Sequence, residues 1–170
     1  MGAGVVLDTS FLITLADPGR QNHAVARRYW QYFMEQAIPV FLPTIVVSEF
    51  YVRQEIPPEI LRCCVVLPFN WDDAIRTAQL DFSQLKKPSE SRVAIKDDVK
   101  IIAQAVICDA QHLITEDADS LIRIALELKA SGKVAFRTIC LKDGFDRALL
   151  DANGQRDFED AMNQTDNASD

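Results

Sequence analysis

The chain has 170 residues, enough for one domain with its own hydrophobic core. Its 48% hydrophobic and 25% charged content is ordinary for a globular protein. No apolar stretch approaches the roughly 18 residues that a membrane span needs, and no signal peptide opens the chain, so we expect a cytoplasmic protein without a membrane partner. The formal net charge of −7 gives no positive support for an anionic substrate.

Short apolar runs alternate with helical patterns along the chain, which favours an α/β fold with a mostly parallel sheet of about five strands. The predicted strands are residues 4–7, 39–42, 63–67, 112–115 and 136–141. The predicted helices are residues 22–37, 44–54, 71–86, 97–109 and 118–131. Pro57 and Pro58 are predicted to break the chain after the second helix, and residues 86–96 to form a polar loop.

Two predicted helices carry aromatic stripes, which we interpret as core or as a subunit interface, so that a homodimer remains open. The first stripe is Ala26, Tyr29, Trp30, Phe33 and Ala37. The second, after Asn70 as a predicted N-cap, is Trp71, Ile75, Ala78, Phe82 and Leu85. The four cysteines form no CxxC pair and are interpreted as reduced core thiols.

The C-terminal part differs in composition from the rest. Residues 151–170 hold six acids and one arginine, a net charge of −5, which leaves −2 for residues 1–150. We therefore predict a folded domain over residues 1–145 and an acidic tail over residues 146–170 that is disordered, loosely docked or partner-binding.

Two acids follow predicted strands. Asp8 ends the run Val5–Leu7, and Asp117 follows Thr115 by one residue, with Asp119 two positions later. The carboxyl edge of a parallel sheet is where ligands bind. Each of the two acids has an alternative interpretation as the N-cap of the following helix.

Two further acids lie on apolar helix faces. Glu49 shares a face with Ile45, Val46 and Val52, and its alternative is a buried ion pair with Arg53. Asp98 shares a face with Ile101, Ile102 and Ala105. Asp97 is rotated by roughly 100° from Asp98 and is predicted to be a solvated acid in the first helical turn.

These carboxylates form an all-oxygen donor set, which suits Mg²⁺ or Mn²⁺ better than zinc. Carboxylates this close need cations to stay ionised together. The acids Asp8, Glu49, Asp98, Asp117 and Asp119 account for −5, so the rest of residues 1–150 carries about +3 by subtraction. An anionic substrate is therefore compatible with the net charge.

The motifs resemble those of the PIN-domain family. The run from Val5 to Ile13 is similar to the opening of that family, and Ser48–Phe50 after Thr44 is similar to its second acidic motif. The third and fourth motifs match at Asp98–Val106 and His112–Asp117. The resemblance spans roughly residues 4–141, in the order and spacing of the family.

The resemblance implies a three-layer α/β/α sandwich and a divalent-metal-dependent endoribonuclease. By position, Asp8, Glu49, Asp98 and Asp117 take the acidic ligand roles, Ser10 and Thr115 the supporting polar roles, and Asp119 that of a further acid. Many small members are toxins of the VapC type, so a protein antitoxin is implied as a partner besides RNA. The long acidic tail departs from that minimal pattern.

Several basic residues are candidates for an RNA track, with ordinary solvated surface as the alternative: Arg53, Lys86, Lys87, Arg92, Lys96 and Lys100. Two other functions remain open. One is a non-catalytic PIN-like module that binds RNA or protein. The other is a phosphatase that uses Asp8 as a phosphoaspartyl nucleophile, which the serine at position 10 disfavours because such enzymes place a second Asp there.

Overall fold

The computed structural model describes residues 4–80 and 92–150. The strands in this part of the chain are β1 (Val5–Leu7), β2 (Val40–Pro43), β3 (Cys64–Leu67), β4 (His112–Thr115) and β5 (Arg137–Cys140). They form one sheet in the order β3-β2-β1-β4-β5, and every neighbouring pair is parallel. The predicted five-stranded parallel sheet is confirmed, and each strand lies within a residue of its predicted bounds at either end.

Helices connect the strands. They are α1 (Thr9–Ala16), α2 (His23–Glu35), α3 (Thr44–Tyr51), α4 (Pro58–Leu61), α5 (Trp71–Leu80), α6 (Arg92–Ile107) and α7 (Arg123–Ala130). A π-helical turn at Ala118–Ile122 precedes α7, and single 3-10 turns follow β5 at Leu141–Asp143 and Arg147–Leu149. Among the described residues, no helix is both long and apolar enough to cross a bilayer.

The order of the strands determines on which face of the sheet the helices lie. The chain steps outward from β1 to β2 and β3, and then returns to the other side of β1 for β4 and β5. Because crossovers between parallel strands are right-handed, the two halves put their helices on opposite faces of the sheet. The α/β/α arrangement follows, with a topological switch point between β1 and β4, which is where α/β folds bind ligands.

The central strands are buried because helices cover both faces of a parallel sheet. Every residue of β1, β2 and β4 is buried, whereas Val65 and Val66 of the edge strand β3 are largely exposed. Gly4 leads into β1 at a point of close approach. A Cβ at this position would collide with the ring of Phe41 and lie 2.9 Å from the carbonyl oxygen of Pro39. Only glycine fits there without movement of its neighbours.

Three helix boundaries differ from the predicted ones. Helix α6 begins at Arg92, so the loop predicted over 86–96 is wrong for residues 92–96, and Asp97 is not in the first turn. Helix α3 ends at Tyr51, and Val52 is 85% exposed rather than on the apolar stripe. Pro58 begins the short helix α4, which was not predicted; proline suits the first turn because no intrahelical partner is needed there.

The two aromatic stripes have different outcomes. Ala26, Tyr29 and Phe33 of α2 are fully buried, as predicted for core. The cap by Asn70 is also confirmed, since its side-chain oxygen accepts hydrogen bonds from the amides of Asp72 and Asp73. Trp71, by contrast, is 78% exposed, so the α5 stripe is not core within the described residues. Residues 82 and 85 of that stripe lie outside the described part of the chain.

Of the four cysteines only Cys140 is buried, and Cys63 is exposed, so the prediction of core thiols is wrong for Cys63.

The segment after β5 packs onto α2. The Tyr29 hydroxyl donates to the carbonyl of Gly144 (3.1 Å) and accepts from the amide of Asp146 (3.1 Å). Residues 151–170 lie outside the described part.

Candidate active site

The acidic residues gather at the carboxyl edge of the sheet, at the switch point. Asp8 directly follows β1, and Asp117 lies two residues beyond β4. The two strands are paired there, and the amide of Asp8 donates to the carbonyl of Ile114 at 3.1 Å. Helices α3 and α6 bring Glu49 and Asp98 to the same edge, close enough that their charges affect one another.

Asp8 is the most buried of these acids, with 5% exposure. Its Oδ2 accepts from the hydroxyls of Ser10 (2.6 Å) and Thr115 (2.7 Å). It also accepts from the amide of Ser10 at 3.2 Å and so caps α1, which means that the capping interpretation is correct for this residue. Burial nevertheless raises the pKa of Asp8 despite these hydrogen bonds.

Two hydroxyls join the ends of β1 and β4. Ser10 Oγ and Thr115 Oγ1 lie 2.9 Å apart. The amide of Glu116 donates to Ser10 Oγ, and the amide of Asp117 donates to Thr115 Oγ1, both at 2.8 Å. Ser10 and Thr115 therefore support the acidic group, since they set the orientation of Asp8 and the path of the chain into Asp117.

Ser120 connects two of the acids, and the sequence did not single it out. Its hydroxyl lies 2.6 Å from Asp98 Oδ2 and 2.8 Å from Asp117 Oδ2. A hydroxyl has one proton and donates it to one acceptor at a time, so the second contact needs a proton on one of the carboxyls. Burial, reinforced by the charges of the other three acids, raises the pKa of Asp98 to about 7.

Asp117 also has a structural role. Its Oδ1 accepts from the amides of Asp119 (2.9 Å) and Ser120 (3.0 Å), so it caps the π-helical turn. Asp117 therefore both caps a helical turn and belongs to the acidic group, as Asp8 does. Asp119 contributes a backbone amide here, and the residue is exposed.

Glu49 is partly buried and accepts a hydrogen bond from the hydroxyl of Thr9. Burial raises the pKa of Glu49, and the charge of Asp8 adds to the rise. Among the described residues no ion pair joins Glu49 to Arg53, so the alternative of a buried Glu–Arg pair is wrong. Thr9 is a second hydroxyl that the sequence analysis missed, although it directly follows Asp8.

The neighbouring acids of α6 differ in their partners. Asp98 accepts a hydrogen bond from Ser120, which also contacts Asp117, whereas Asp97 pairs with Lys100 at 2.7 Å, three residues along the same helix. The charge of Asp97 adds to the rise in the pKa of Glu49, so Asp97 is not a fully solvated acid as predicted. Asp97 and Asp98 therefore provide a matched pair in which only Asp98 is joined to Asp117 through a hydroxyl.

The donor chemistry fits a hard divalent cation. Oxygen atoms of carboxylates and hydroxyls line the site. Burial raises the pKa values of Asp8, Glu49 and Asp98, and neighbouring carboxylates add to the rise for Glu49 and Asp98. Within the described residues, no three His, Cys, Asp or Glu side chains already have the arrangement of an assembled metal site. Each of the four carboxylates accepts a hydrogen bond from a hydroxyl.

The described residues of the predicted RNA track have different surroundings. Arg53 lines a separate cavity beside Pro18 and Phe50, while Lys100 forms an ion pair with Asp97. Lys96 is exposed. Lys86, Lys87 and the side chain of Arg92 lie outside the described residues.

Two other cations share a cavity with residues of the acidic site, and the sequence analysis missed them. Arg20 and Lys142 line a cavity of about 610 Å³ that also includes Ser10 and Asp117. Neither lies in an acidic motif or in a predicted element with a clear pattern, so no local signal marked them. Arg20 belongs to the connection between α1 and α2, and Lys142 to the turn after β5.

The sequence and the structure give different results when compared with known proteins. No family model matches the sequence, and no curated protein sequence matches it. Solved structures do match. A chain of the DNA-bound VapBC complex from Salmonella typhimurium is 15% identical with a TM-score of 0.55, over 82% of this chain and 98% of that one.

Two further structures give similar values. A chain of FitAB bound to the IR36 DNA fragment is 17% identical with a TM-score of 0.55, over 81% of this chain and 94% of that one. A chain of VapBC2 from Rickettsia felis, bound to a promoter DNA fragment, is 12% identical with a TM-score of 0.54, over 79% and 97%. The chain therefore has the fold of the VapC and FitB PIN-domain toxins, and at these identities the likeness shows the fold alone.

Proposed function

We propose that the protein is a divalent-metal-dependent endoribonuclease. The observation that carries the proposal is the convergence of four acids on the switch point of a PIN-like sheet, where the charges of three of them help to raise the pKa of Asp98. Structural ion pairs do not produce this pattern, because each acid would then have a basic partner. Within the described residues, Asp8, Asp98, Asp117 and Glu49 are hydrogen-bonded to hydroxyls instead.

Asp8, Asp98 and Asp117 would hold one Mg²⁺ or Mn²⁺, and Glu49 would lie nearer to a second. When bound, the cation would supply Lewis acidity that lowers the pKa of a water and offsets charge on the phosphate. Ser10 and Thr115 hold the Asp8 carboxylate in place through hydrogen bonds of 2.6 and 2.7 Å. Ser120 orients both Asp98 and Asp117.

The absence of an imidazole from the site determines the product chemistry. The chain has two histidines, and both have backbone partners away from the acids: His23 Nδ1 lies 3.0 Å from the Thr14 carbonyl, and His112 Nε2 lies 2.9 Å from that of Leu149. Without an imidazole base the ribose 2′-hydroxyl is not readily activated, so water attacks phosphorus and expels the 3′-oxygen. The products should carry 5′-phosphate and 3′-hydroxyl ends.

Cleavage of an end-labelled RNA with and without Mn²⁺ or Mg²⁺ tests the proposal. Asp98→Asn should abolish cleavage with the fold intact, and Asp97→Asn is the matched control that should keep substantial activity. Replacing both histidines with Gln should leave the product ends unchanged. Cleavage that resists EDTA, or 2′,3′-cyclic phosphate as the main product, would exclude this mechanism.

A protein partner is a further part of the proposal. The matched VapBC and FitAB structures each contain DNA, and the VapC-type toxins that the sequence resembles are paired with a protein antitoxin. By analogy of fold we propose an antitoxin-like protein as inhibitor of this chain, and a homodimer in which the exposed Trp71 lies at the interface. Co-expression with the product of a neighbouring small reading frame should suppress cleavage, and dimerisation should shift the emission of Trp71 to shorter wavelength. Cleavage unaffected by any neighbouring gene product would argue for a nuclease without an antitoxin.

The geometry disfavours the phosphatase alternative. The Asp8 carboxylate is buried, and its Oδ2 is occupied by Ser10 and Thr115, which leaves it poorly placed as a nucleophile. Ser10 stands where such an enzyme needs a general acid. The absence of ³²P on the protein after incubation with a labelled phosphomonoester would be consistent with this conclusion.

A further inference from the structure

The cavity beside the acids also contains two cations. Its volume of about 610 Å³ is in the range of ligand-binding clefts. Ser10 and Asp117 of the acidic group line it together with Arg20, Gln21, Asn22, Glu116 and Lys142. A ligand in the cavity would therefore have both Asp117 and the two cations in its surroundings.

Glu116 fixes the position of Arg20. Its Oε2 accepts from Arg20 Nη2 at 2.6 Å and from the Thr14 hydroxyl at 2.7 Å, and its Oε1 accepts from Asn22 Nδ2 at 2.7 Å. These three hydrogen bonds hold the Arg20 guanidinium at the cavity wall.

The same residue is connected to the acidic group. The Glu116 amide donates to Ser10 Oγ at 2.8 Å, and Asp117 is the next residue along the chain. A ligand held by Arg20 is thereby placed at a defined position relative to Asp8 and Asp117. Glu116 is a positioning residue in this arrangement, because it acts through Arg20.

Donors remain available for an anion. A guanidinium has five N–H groups, and in the described part of the chain only one contact of Arg20, to Glu116, is present. The Arg20 side chain is 39% exposed, so its other donors face the cavity or solvent. Lys142 is exposed and makes no ion pair or hydrogen bond with any described residue.

Arg20 and Lys142 supply the charged donors that a phosphate group binds. Asn22, the N-cap residue of α2, uses its side chain to hold Glu116 and makes no cap hydrogen bond. The amide of His23 donates to the Arg20 carbonyl at 3.1 Å, which ties the backbone of Arg20 to the start of α2.

We propose that this cavity is an RNA subsite that binds the backbone phosphate next to the scissile one, with Arg20 and Lys142 as its ligands. This inference rests on the proposed function, since it names where the substrate of that site is held. A single-stranded RNA crossing the acidic group would enter the cavity directly past Asp117. The subsite gives the protein a positive contact for its substrate although the whole chain carries −7.

Salt dependence of RNA binding tests the subsite independently of cleavage. The protein is used as the full-length Asp98→Asn variant, so that a fluorescein-labelled single-stranded RNA stays intact, and its Kd is measured by anisotropy from low to moderate salt. Loss of one phosphate contact should reduce the slope of log K against log salt by about 0.7. We expect this reduction for Arg20→Ala and for Lys142→Ala, and a reduction of about twice that size for the double variant.

Controls separate local from general charge effects. Arg62 is exposed, and it lies before β3 at the opposite edge of the sheet, so Arg62→Ala removes the same charge and should leave the slope unchanged. Arg20→Lys keeps the cation and should retain most of the slope. If Arg20→Ala fails to fold, because Glu116 is left unpaired, Lys142→Ala decides the question, since that side chain has no described partner to lose.

The outcomes distinguish this inference from the proposed function. Slopes for Arg20→Ala and Lys142→Ala equal to that of Arg62→Ala would overturn the subsite even if the wild-type protein cleaves RNA. Reduced slopes for these two variants, in a chain whose wild type shows no metal-dependent cleavage, would support the subsite while refuting the nuclease.

Discussion

The strongest test of the electrostatic argument is the stability of Asp98→Asn without metal ions. In the folded protein the pKa of Asp98 is raised from 3.8 to about 7, first by burial and then by the neighbouring acids. Between these two values the folded state binds more protons than the unfolded state, so this group makes the protein less stable as the pH rises. The substitution removes that penalty.

The magnitude follows from the shift. About three pKa units at 1.36 kcal/mol each give an upper bound of about 4 kcal/mol. Because Asp98 is partly exposed, water screens much of this, and we expect a gain of about 1–2 kcal/mol. For a domain of this size that corresponds to a rise of roughly 2–8 °C in Tm.

The assay is thermal unfolding in EDTA at several pH values. Asp98→Asn should exceed the wild type by an amount that grows from about pH 4 to about pH 7 and is constant above, as expected from the two pKa values. Asp97→Asn is the control, because it loses an ion pair with Lys100 and should gain nothing.

Metal ions should reverse this order. Mn²⁺ at about 100 times its Kd stabilises the wild type by about 2.7 kcal/mol, or roughly 5–10 °C in Tm, and Asp98→Asn should lose most of this gain. An EDTA-treated variant no more stable than the wild type at pH 8 would refute the charge argument. A wild-type Tm indifferent to millimolar Mn²⁺ and Mg²⁺ would refute the metal site.

Three further predictions concern the rest of the fold. Burial lowers the pKa of His112, so below about pH 6.5 the folded state binds fewer protons than the unfolded state. Stability therefore falls as the pH drops through this region. In urea titrations at several pH values, His112→Gln should reduce that loss of stability. Deletion of residues 151–170, with little apolar surface and a charge of −5, should cost under about 1 kcal/mol, and a larger loss in urea titration would show that the tail docks on the body. Gly4→Ala should cost about 1–3 kcal/mol by overpacking against Phe41, and a Tm equal to that of the wild type would contradict this.

The fold followed from the sequence because its determinants are local. In a parallel sheet covered on both faces, strands are continuous apolar runs, and those runs marked all five strands to within a residue at each end. The acids were identified for a similar reason. Carboxylates at strand ends or on apolar helix faces violate the usual pattern of burial, so Asp8 and Asp98 stand out without any structure.

The sequence could not show which helix face packs against which neighbouring element. The α5 stripe that begins at Trp71 has the period of a buried helix, yet in the described part it faces solvent, because only tertiary packing decides which stripe finds a partner. Helix α6 starts earlier than its apolar pattern, at Arg92, since polar residues extend a helix as readily as they form a loop.

Contacts between distant segments belong to the tertiary structure alone. Arg20 reaches Glu116 across 96 positions of sequence, and Ser120 reaches Asp98 across 22. An exposed loop arginine or a serine within a helical pattern carries no periodic signal, and its role exists only once β1 and β4 are paired. The sequence therefore determined which carboxylates are unusual, and the pairing of the strands determined which hydroxyls and cations surround them.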